Sequence, residues 1–304
     1  MLGFLYQRYM KVMKFLGGNE QHIPEPEETV VQNKTKKTTT PKQSRSINHD
    51  QSATQLGNDY RGAGVFAGLL GIAIVFVAIA PSGFEITDVG VLQVLGILKV
   101  TMMVGVLFLV YRVQQSNLKN VWIEARLYSE SQRYSDLKIK IESLRPETSK
   151  ELKDELVRIL DGKDGQIQYN QTKGVQYEAI ERTAGKISWL GFITALLCAV
   201  WLLLSEFHFV HHQSWLIFGT AFLPALVGGI HGINGFLSVA SLAGDHKKMA
   251  KKLQVYRNDL ASLAADEKIS DIEKFEDTAK IIFVSLNGRD VEWAEDTKGK
   301  KLPL

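Results

Sequence analysis

Long apolar segments alternate with polar, charged segments along this chain. Four apolar runs are each long enough to cross a bilayer, residues 62–80, 89–111, 187–205 and 215–236. Runs of about 17–25 apolar residues form membrane-spanning helices, because a helix rises about 1.5 Å per residue through a hydrocarbon core roughly 30 Å thick. Three runs contain no Lys, Arg, Asp or Glu, and Lys99 is the single charged residue in the other. The pattern predicts an all-α integral membrane protein whose four transmembrane helices form two hairpins, 59–111 and 187–244.

The polar segments that follow each hairpin are predicted to form helices outside the membrane. Between residues 112 and 186, apolar positions recur at helical spacing, and Thr148-x-x-Glu151 is a capping box that starts a new helix. Residues 245–304 also show helical periodicity, and Asn287-Gly288 is expected to end the last amphipathic helix. Each hairpin is therefore expected to carry its own helical extension.

The first 58 residues divide into two parts. Residues 1–16 place Arg8, Lys11 and Lys14 on one helical face and apolar side chains on the others, as in a helix that lies on a membrane surface. A partner-bound or unstructured tail is the alternative. Residues 17–58 are rich in Thr, Gln, Asn, Lys, Glu and Pro and lack apolar periodicity, so we expect a disordered tether.

The distribution of positive charge predicts the orientation in the membrane. Nine Lys and Arg residues precede the first run, fourteen lie within 112–186 and twelve follow Gly244, whereas the loops 81–88 and 206–214 contain none. By the positive-inside rule, both termini and the middle region are cytoplasmic, so we expect a multi-pass protein of the inner (plasma) membrane. The same asymmetry explains the net charge of +3 without nucleic acid as a partner. The lipid bilayer is the partner that the pattern predicts.

Four side chains with an amine, an imidazole or an amide lie inside the predicted spans. Lys99 is central in the second span, where a lysine costs about 2.5–3.5 kcal/mol on insertion scales. Gln93 lies in the same span, and His231 and Asn234 share a face of the fourth. The functional interpretation is that all four line a water-accessible pore or polar path. The alternatives are snorkelling of Lys99 towards the outer surface and interhelical hydrogen bonds from the other three.

Small residues in the spans predict close contacts between helices. Gly64-x-x-x-Gly68 in the first span and Gly228-x-x-x-Gly232 in the fourth let helix backbones approach each other. Such contacts arise within one chain or between copies in a homo-oligomer, and the spacing alone does not distinguish the two. Pro224 is expected to kink the fourth span, because it removes a backbone donor.

Motifs for catalysis and cofactor binding are absent from the sequence. It contains no G-x-S-x-G, no H-E-x-x-H, no Walker loop and no Rossmann glycine pattern, so we predict neither an enzyme nor a bound cofactor. His208, His211 and His212 in the second outer loop, near Glu206, have a spacing that could bind a metal. Solvated histidines are the simpler interpretation, and no metal site is predicted.

A pattern of charges follows the second span. Trp122, Arg126, Glu130 and Arg133 lie within one helical face, and the charges form i,i+4 and i,i+3 pairs. One interpretation is a solvated ladder of ion pairs with Trp122 at the membrane interface. The functional interpretation is that these residues transmit a signal from the cytoplasmic helices or hold an oligomer together.

Four stretches resemble one protein family. WIEARLYSESQR is similar to the W-x-x-x-R-x-x-x-E-x-x-R stretch that follows the first hairpin in SLATT-type proteins, the SMODS- and SLOG-associating membrane effectors of prokaryotes. The other similar stretches are YEAIERTAGKISWLG, FLPALVGGIHGINGFLSVASLAGDHKKMAKKL and FEDTAKIIFVSLNGRDVEW, the last ending at Trp293. The resemblance covers roughly residues 112–294, and the four-span form departs from the commoner two-span arrangement.

This resemblance implies an oligomeric effector that forms a pore or disrupts the membrane in an anti-phage or other conflict system. Such effectors are usually coupled to a nucleotide-signal synthase or a sensor encoded elsewhere, so a nucleotide second messenger or a sensor protein is the implied trigger. The coupling residues would then be Trp122, Arg126, Glu130, Arg133 and Trp293. The alternatives are a non-conducting scaffold that recruits a cytoplasmic partner and a housekeeping ion channel.

Overall fold

The protein is described here by a computed structural model that covers residues 2–16, 41–162, 165–207, 213–263 and 269–299, with side chains described outside 41–50, 269–271 and 288–299. The described residues form α-helices, one short 3-10 helix at Pro146–Thr148 and no strand. The helices are α1 (Leu2–Leu16), α2 (Pro41–Gly83), α3 (Val89–Gln115), α4 (Leu118–Arg133), α5 (Ser135–Glu142), α6 (Ser149–Asp161), α7 (Gln166–Glu206), α8 (Ser214–Leu237), α9 (Val239–Ser262) and α10 (Ile269–Gly299). The prediction of an all-helical chain is confirmed for these residues.

Among the described residues, four helices are long and apolar enough to cross a membrane, and they contain the four apolar runs that the sequence predicts. Each of α2, α3, α7 and α8 contains such a stretch. The surfaces of these stretches agree with a lipid environment, since large apolar side chains remain exposed along α3 and α7, among them Trp189 and Phe108. The chain is therefore a membrane protein.

Two predicted boundaries are wrong. The expected tether 17–58 is not disordered throughout, because residues 41–58 belong to α2, while 17–40 lie outside the described residues. Packing explains the longer helix, since Ala53 and Tyr60 are buried and Leu56 packs with Trp122 of α4. In α10, the helix continues through Asn287-Gly288 to Gly299 rather than ending there.

The apolar helices have unequal numbers of neighbours. α2 is central and packs against α8, α1, α4 and α3, and α7 packs against both α8 and α9. α3 lies at the edge, with α2 and α4 as its main neighbours.

Two connections between helices bend at a residue in the left-handed backbone region. Asn117 (φ 48°) joins α3 to α4, and Ser238 (φ 55°) joins α8 to α9. At both positions the next helix begins directly after the bend and runs in a new direction, with almost no loop between the two helices.

The helices outside the apolar bundle form a domain with its own core. Side chains from α5, α6, the start of α7, α9 and α10 pack together, including Leu156, Leu253 and Ile282, each fully buried. The apolar face predicted for the last helix is confirmed by the burial of Phe275, Ala279, Ile282 and Leu286. We refer to these helices as the helical domain, and to the end of the bundle next to it, where α1 and α4 lie, as the domain end.

A buried polar contact fastens the helical domain to α7. The Asn170 amide oxygen lies 2.8 Å from His246 Nδ1, and the Asn170 Nδ2 donates to the Gln166 carbonyl oxygen over 2.7 Å. The amide nitrogen is thereby used, so the His246 Nδ1 is the donor to Asn170. Tyr177 stacks on the imidazole with ring centroids 5.7 Å apart. No local sequence pattern indicates this α7–α9 contact, because its residues lie 76 positions apart.

Candidate functional site

Helix α1 is held against the domain end of the bundle. The Gly3 amide donates to the Asp59 carboxylate of α2 (2.9 Å), and the Tyr9 hydroxyl donates to the Asn234 amide oxygen of α8 (2.7 Å). Met13 is buried in a cluster with side chains of α2, α7, α8 and α9. Burial raises the pKa of Tyr9 above its ordinary value, so the hydroxyl remains a donor at neutral pH. The prediction of a helix is confirmed, but its inner side covers protein rather than lipid.

The outward face of α1 combines cations with apolar side chains. Phe4, Arg8, Lys11, Val12 and Phe15 are exposed on this face. The Arg8 guanidinium lies over the Phe4 ring, 4.8 Å from its centroid. Because the inner face is used by the bundle, only this narrower face is left for a membrane surface or a partner.

The structure separates the four residues of the predicted polar path into two groups. His231 and Asn234 lie together at the domain end of α8. Lys99 and Gln93 lie on α3, for which no extensive contact with α8 exists in the described residues. One continuous path through a single chain is therefore not formed by these four side chains.

Lys99 lies on the side of α3 that faces α2. The half-buried and buried residues of α3 recur at helical spacing, which identifies the face packed on its neighbour; they include Leu95, Lys99, Met102, Val106, Leu109 and Val113. Among the described residues, Lys99 has neither a hydrogen bond nor an ion pair. Gln93 is exposed on the same helix. An unpaired lysine thus lies half-buried at the middle of an apolar helix at the edge of the bundle.

His231 and Asn234 line a groove of about 490 Å³ where α7, α8 and α9 meet. Glu181 and Ala184 of α7 form one wall, Gly235 lies on α8, and the chain from Ser238 to Ser241 closes the far end. Asn234 is 9% exposed, and its amide oxygen is taken by Tyr9. No local motif indicates that Glu181 and Ser238 line a groove, because the groove is created by the bend at Ser238.

Ser188 and His231 form a close polar contact between α7 and α8. The Ser188 Oγ lies 2.7 Å from the Ala184 carbonyl oxygen and 2.5 Å from the His231 Nε2. This contact fixes the His231 imidazole at the edge of the groove.

The two glycine pairs behave differently. A Cβ at Gly64 would overlap the ring of Phe236, and one at Gly68 would overlap Ile233, so both α2 glycines permit close packing on α8. A Cβ at Gly228 or Gly232 would meet nothing within 4 Å. The α8 glycine that contacts α2 is Gly229, where a Cβ would overlap Ile72. Close packing within the chain is therefore observed at Gly64 and Gly68. At Gly228 and Gly232 the described chain makes no such contact, so the alternative of packing between copies stays a prediction there.

The exposed glycines of α8 form one continuous face. Gly228, Gly232 and Gly235 recur at helical spacing, all are exposed, and none has a neighbour within 4 Å of a Cβ position. His231 is exposed on the same face. We call these four residues the open face of α8. The helix passes through the half-buried Pro224 without interruption.

The charges predicted on α4 form a compact cluster. Glu130 is 3% exposed and its carboxylate binds Arg126 and Arg133, the latter through contacts of 3.1 and 2.9 Å. A solvated ladder is therefore an incorrect description, because the shared carboxylate is buried.

Trp122 is buried against protein side chains rather than exposed to lipid. It is 6% exposed and packs on Tyr60 of α2, with ring centroids 5.7 Å apart. Arg61, which the sequence analysis did not single out, places its guanidinium 4.9 Å from the Trp122 ring centroid and 5.4 Å from that of Tyr6. These contacts join α1, α2 and α4 at the domain end. In the sequence, the only indication of this position is that Arg61 directly precedes the first apolar run.

Some predicted residues lie at the limits of the described chain. Trp293 belongs to α10, but its side chain is outside the described residues, as are His208, His211 and His212. Within the part of the chain that is described, no group of three His, Cys, Asp or Glu residues could hold a metal ion. Cys198 is buried in α7.

No protein-family model matches the chain, and no curated protein or solved structure is significantly similar to it. The resemblance to SLATT-type effectors thus stays a prediction from four sequence stretches. The geometry that bears most directly on function is that of α8, with its open face and the groove at its domain end.

Proposed function

We propose that this protein is an oligomeric membrane effector of the SLATT type, which perturbs the inner membrane of a prokaryotic cell in a conflict system. The two helix pairs α2–α3 and α7–α8 are membrane hairpins, and the helical domain and both termini lie in the cytoplasm. The observation that carries the proposal is the open face of α8. On this face Gly228, Gly232 and Gly235 have no atom of the described chain within 4 Å of a Cβ position, and His231, which contacts Ser188 of α7, is exposed beside them.

An open glycine face in a membrane helix favours association with another helix. Lipid tails supply no hydrophobic driving force between helices, so association depends on close van der Waals packing, which small residues permit. The glycines of α2 already serve this purpose within the chain. The corresponding surface of α8 is left for a second copy, and assembly there would bring His231 side chains of adjacent subunits to one seam.

A second feature that supports the proposal is the weak attachment of α3. Most of its apolar surface is exposed, and an unpaired Lys99 lies at its middle. A lysine at this depth is costly unless it reaches water or a partner. If α3 moved away from α2, Lys99 would reach a water-filled defect. The free-energy cost of holding its charge within the membrane would then be lower in the perturbed state than in the resting state.

The connection from α3 to the helical domain provides a route for a trigger. α3 continues through Asn117 into α4, which is held by Trp122 on α2 and contacts α10. A nucleotide or sensor protein bound to the helical domain would reorient α4 and, through the short joint, α3. In this proposal Arg126, Glu130 and Arg133 keep α4 rigid enough to transmit the movement.

Membrane potential, measured with a fluorescent dye after inducible expression in a bacterium, tests the proposal. Wild type is expected to depolarise the cells, and Gly232→Leu should reduce the response because the larger side chain keeps two α8 helices apart. Gly71→Leu is the matched control, since a Cβ at Gly71 also meets nothing within 4 Å but lies on α2. The proposal is overturned if wild type, expressed alone and with its neighbouring genes, never changes the potential, which is the behaviour of a scaffold.

Lys99→Leu tests the second feature in the same assay. If a wetted Lys99 stabilises the perturbed state, the substitution should weaken depolarisation while protein level and self-association stay unchanged. Full activity of Lys99→Leu would contradict a role for this lysine and leave assembly along α8 intact as a proposal.

A further inference from the structure

The groove at the domain end of α8 lies where the apolar helices leave the hydrocarbon. Glu181 precedes the predicted start of the third span by six residues, about 9 Å of helix, whereas His231 and Asn234 precede the end of the fourth span at 236. The headgroup layer on each side of a bilayer is about 5–8 Å thick. The groove therefore extends across the level of the lipid headgroups.

The groups that line the groove include unused acceptors and donors. The Glu181 carboxylate is exposed and has no ion pair or hydrogen bond among the described residues. Asn234 uses its amide oxygen for Tyr9, which leaves its Nδ2 hydrogens for a ligand. Ser238 adds a hydroxyl that is free in the described chain. The groove thus presents an anion at its wall and neutral donors at its base.

The surrounding charges favour a ligand that carries a cation. Arg182, which follows Glu181 on α7, and Lys247 of α9 are both engaged by Glu178 at 2.8 Å. Ser241 donates to Asp245, a second carboxylate near the mouth of the groove (3.1 Å). A purely anionic ligand would meet two carboxylates here, so a phosphate group without an accompanying cation is disfavoured.

We propose that this groove binds the headgroup of an aminophospholipid, with the primary ammonium at Glu181 and the phosphate at Asn234 Nδ2 and the Ser238 hydroxyl. A primary ammonium offers three N–H donors to a carboxylate, whereas a trimethylated ammonium offers none. Further along α7, large apolar side chains such as Trp189 (70% exposed) are available to contact the acyl chains. The lipid therefore comes from the leaflet on the domain side.

The test is retention of lipid by the purified full-length chain in detergent, measured by native mass spectrometry. Dioleoyl phosphatidylethanolamine and dioleoyl phosphatidylcholine share the phosphate and the chains and differ only in methylation of the amine. Wild type should retain the first about tenfold better, because one charge-assisted hydrogen bond contributes about 1.5 kcal/mol or more. Binding is read without any membrane activity, so this result is independent of the proposed effector function.

Glu181→Gln should reduce retention of the ethanolamine lipid to that of the choline lipid. Glu181→Lys should instead favour dioleoyl phosphatidylglycerol, whose headgroup has no cation. Glu124→Gln is the matched control, because Glu124 is also an exposed carboxylate without a partner but lies on α4, outside the groove. Unchanged helix content and Tm verify that each variant folds.

Two results overturn the proposal. Equal retention of the two lipids by wild type, or retention that Glu181→Gln does not alter, would mean that the lipids are annular only. Displacement of the retained lipid by an equal amount of soluble phosphoethanolamine would show that the groove recognises a soluble amine rather than a membrane lipid.

Discussion

The first and fourth apolar helices contain glycine pairs with identical spacing and opposite uses. In α2, Gly64 and Gly68 lie against Phe236 and Ile233 of α8, so a side chain at either position has no room. In α8, Gly228 and Gly232 face open space, and the adjacent Gly229 makes the contact with α2. One interface thus uses glycines from both helices, but only one of the two spaced pairs belongs to it.

The comparison shows what a G-x-x-x-G spacing does and does not specify. The spacing defines a flat stripe on a helix, because residues four apart lie on one face. Which neighbour packs against that stripe depends on the rotation of the helix about its own axis. That rotation is set by side-chain packing along the whole length of the helix. In α8, Gly229 lies on the face that packs against α2, whereas Gly228, one residue earlier, lies on the face that remains open.

Substitution at the packed pair should have the largest effect. Gly64→Leu is expected to lower the free energy of unfolding by about 3 kcal/mol or more, because a leucine cannot fit beside Phe236 without displacement of α8. Gly228→Leu should change it by less than about 1 kcal/mol, since only helix propensity is altered. Denaturant unfolding in detergent, followed by circular dichroism, measures both. Equal destabilisation by the two variants would show that the open face is covered within the chain.

Glu130 and Glu124 of α4 allow a second comparison, between a buried and an exposed carboxylate. Glu130→Ala should destabilise the protein by about 1–3 kcal/mol, because it leaves Arg126 and Arg133 without the buried carboxylate that they share. Glu124→Ala should stay within about 0.5 kcal/mol of wild type, since Glu124 is exposed. The unfolding assay described above compares them. A loss at Glu124 as large as that at Glu130 would mean that α4 is held mainly by its outer face.

The sequence predicted the elements whose determinants are local. Apolar length alone identified the four membrane helices, and i,i+3 and i,i+4 spacing identified the partners of Glu130. The apolar face of α10 followed from periodicity in the same way. The resemblance to SLATT-type effectors, the orientation in the membrane and the oligomer are predictions that the fold leaves open.

Features that depend on distant parts of the chain were missed or wrong. The polar stretch 41–58 is helical because Ala53, Leu56 and Tyr60 pack against other helices, and its composition contains no trace of those contacts. The Glu181–Ser238 groove requires a bend at Ser238, a residue type with no preference for positive φ. Arg61 between two aromatic rings depends on where α1 docks.

The contact between α1 and α8 should have a moderate effect. Tyr9→Phe removes the hydrogen bond to Asn234 and should cost about 0.5–1.5 kcal/mol, since the ring itself is retained. Tyr111→Phe on the exposed side of α3 is the control and should cost nothing measurable. The same unfolding assay applies, and trypsin cleavage within α1 should become faster for Tyr9→Phe only. No change in either measurement would contradict a stabilising role for this hydrogen bond.

The smallest expected effect is a pH dependence at the exposed α7–α9 contact. Hydrogen bonds from Lys247 and Arg182 hold the pKa of Glu178 below its ordinary value of 4.5. A carboxyl with a lowered folded-state pKa contributes stability above pH 4.5 that is lost as the pH falls through the folded-state pKa. Glu178→Gln should therefore lower Tm slightly at neutral pH and leave it unchanged below the folded-state pKa of Glu178, which flattens the acid limb of a plot of Tm against pH. An identical acid limb in the variant would exclude this contribution.

The bond between Tyr9 and Asn234 also has a consequence for biosynthesis. Its two residues are 225 positions apart, so α1 leaves the ribosome long before its partner on the last membrane helix exists. At about 5–20 residues per second, the delay is roughly 10–45 s. During that interval the first helix pair can insert, but α1 has only Asp59 and neighbouring residues of α2 to bind. Completion of the N-terminal contacts thus coincides with insertion of the fourth apolar helix, which makes the docked α1 a marker of a fully inserted chain.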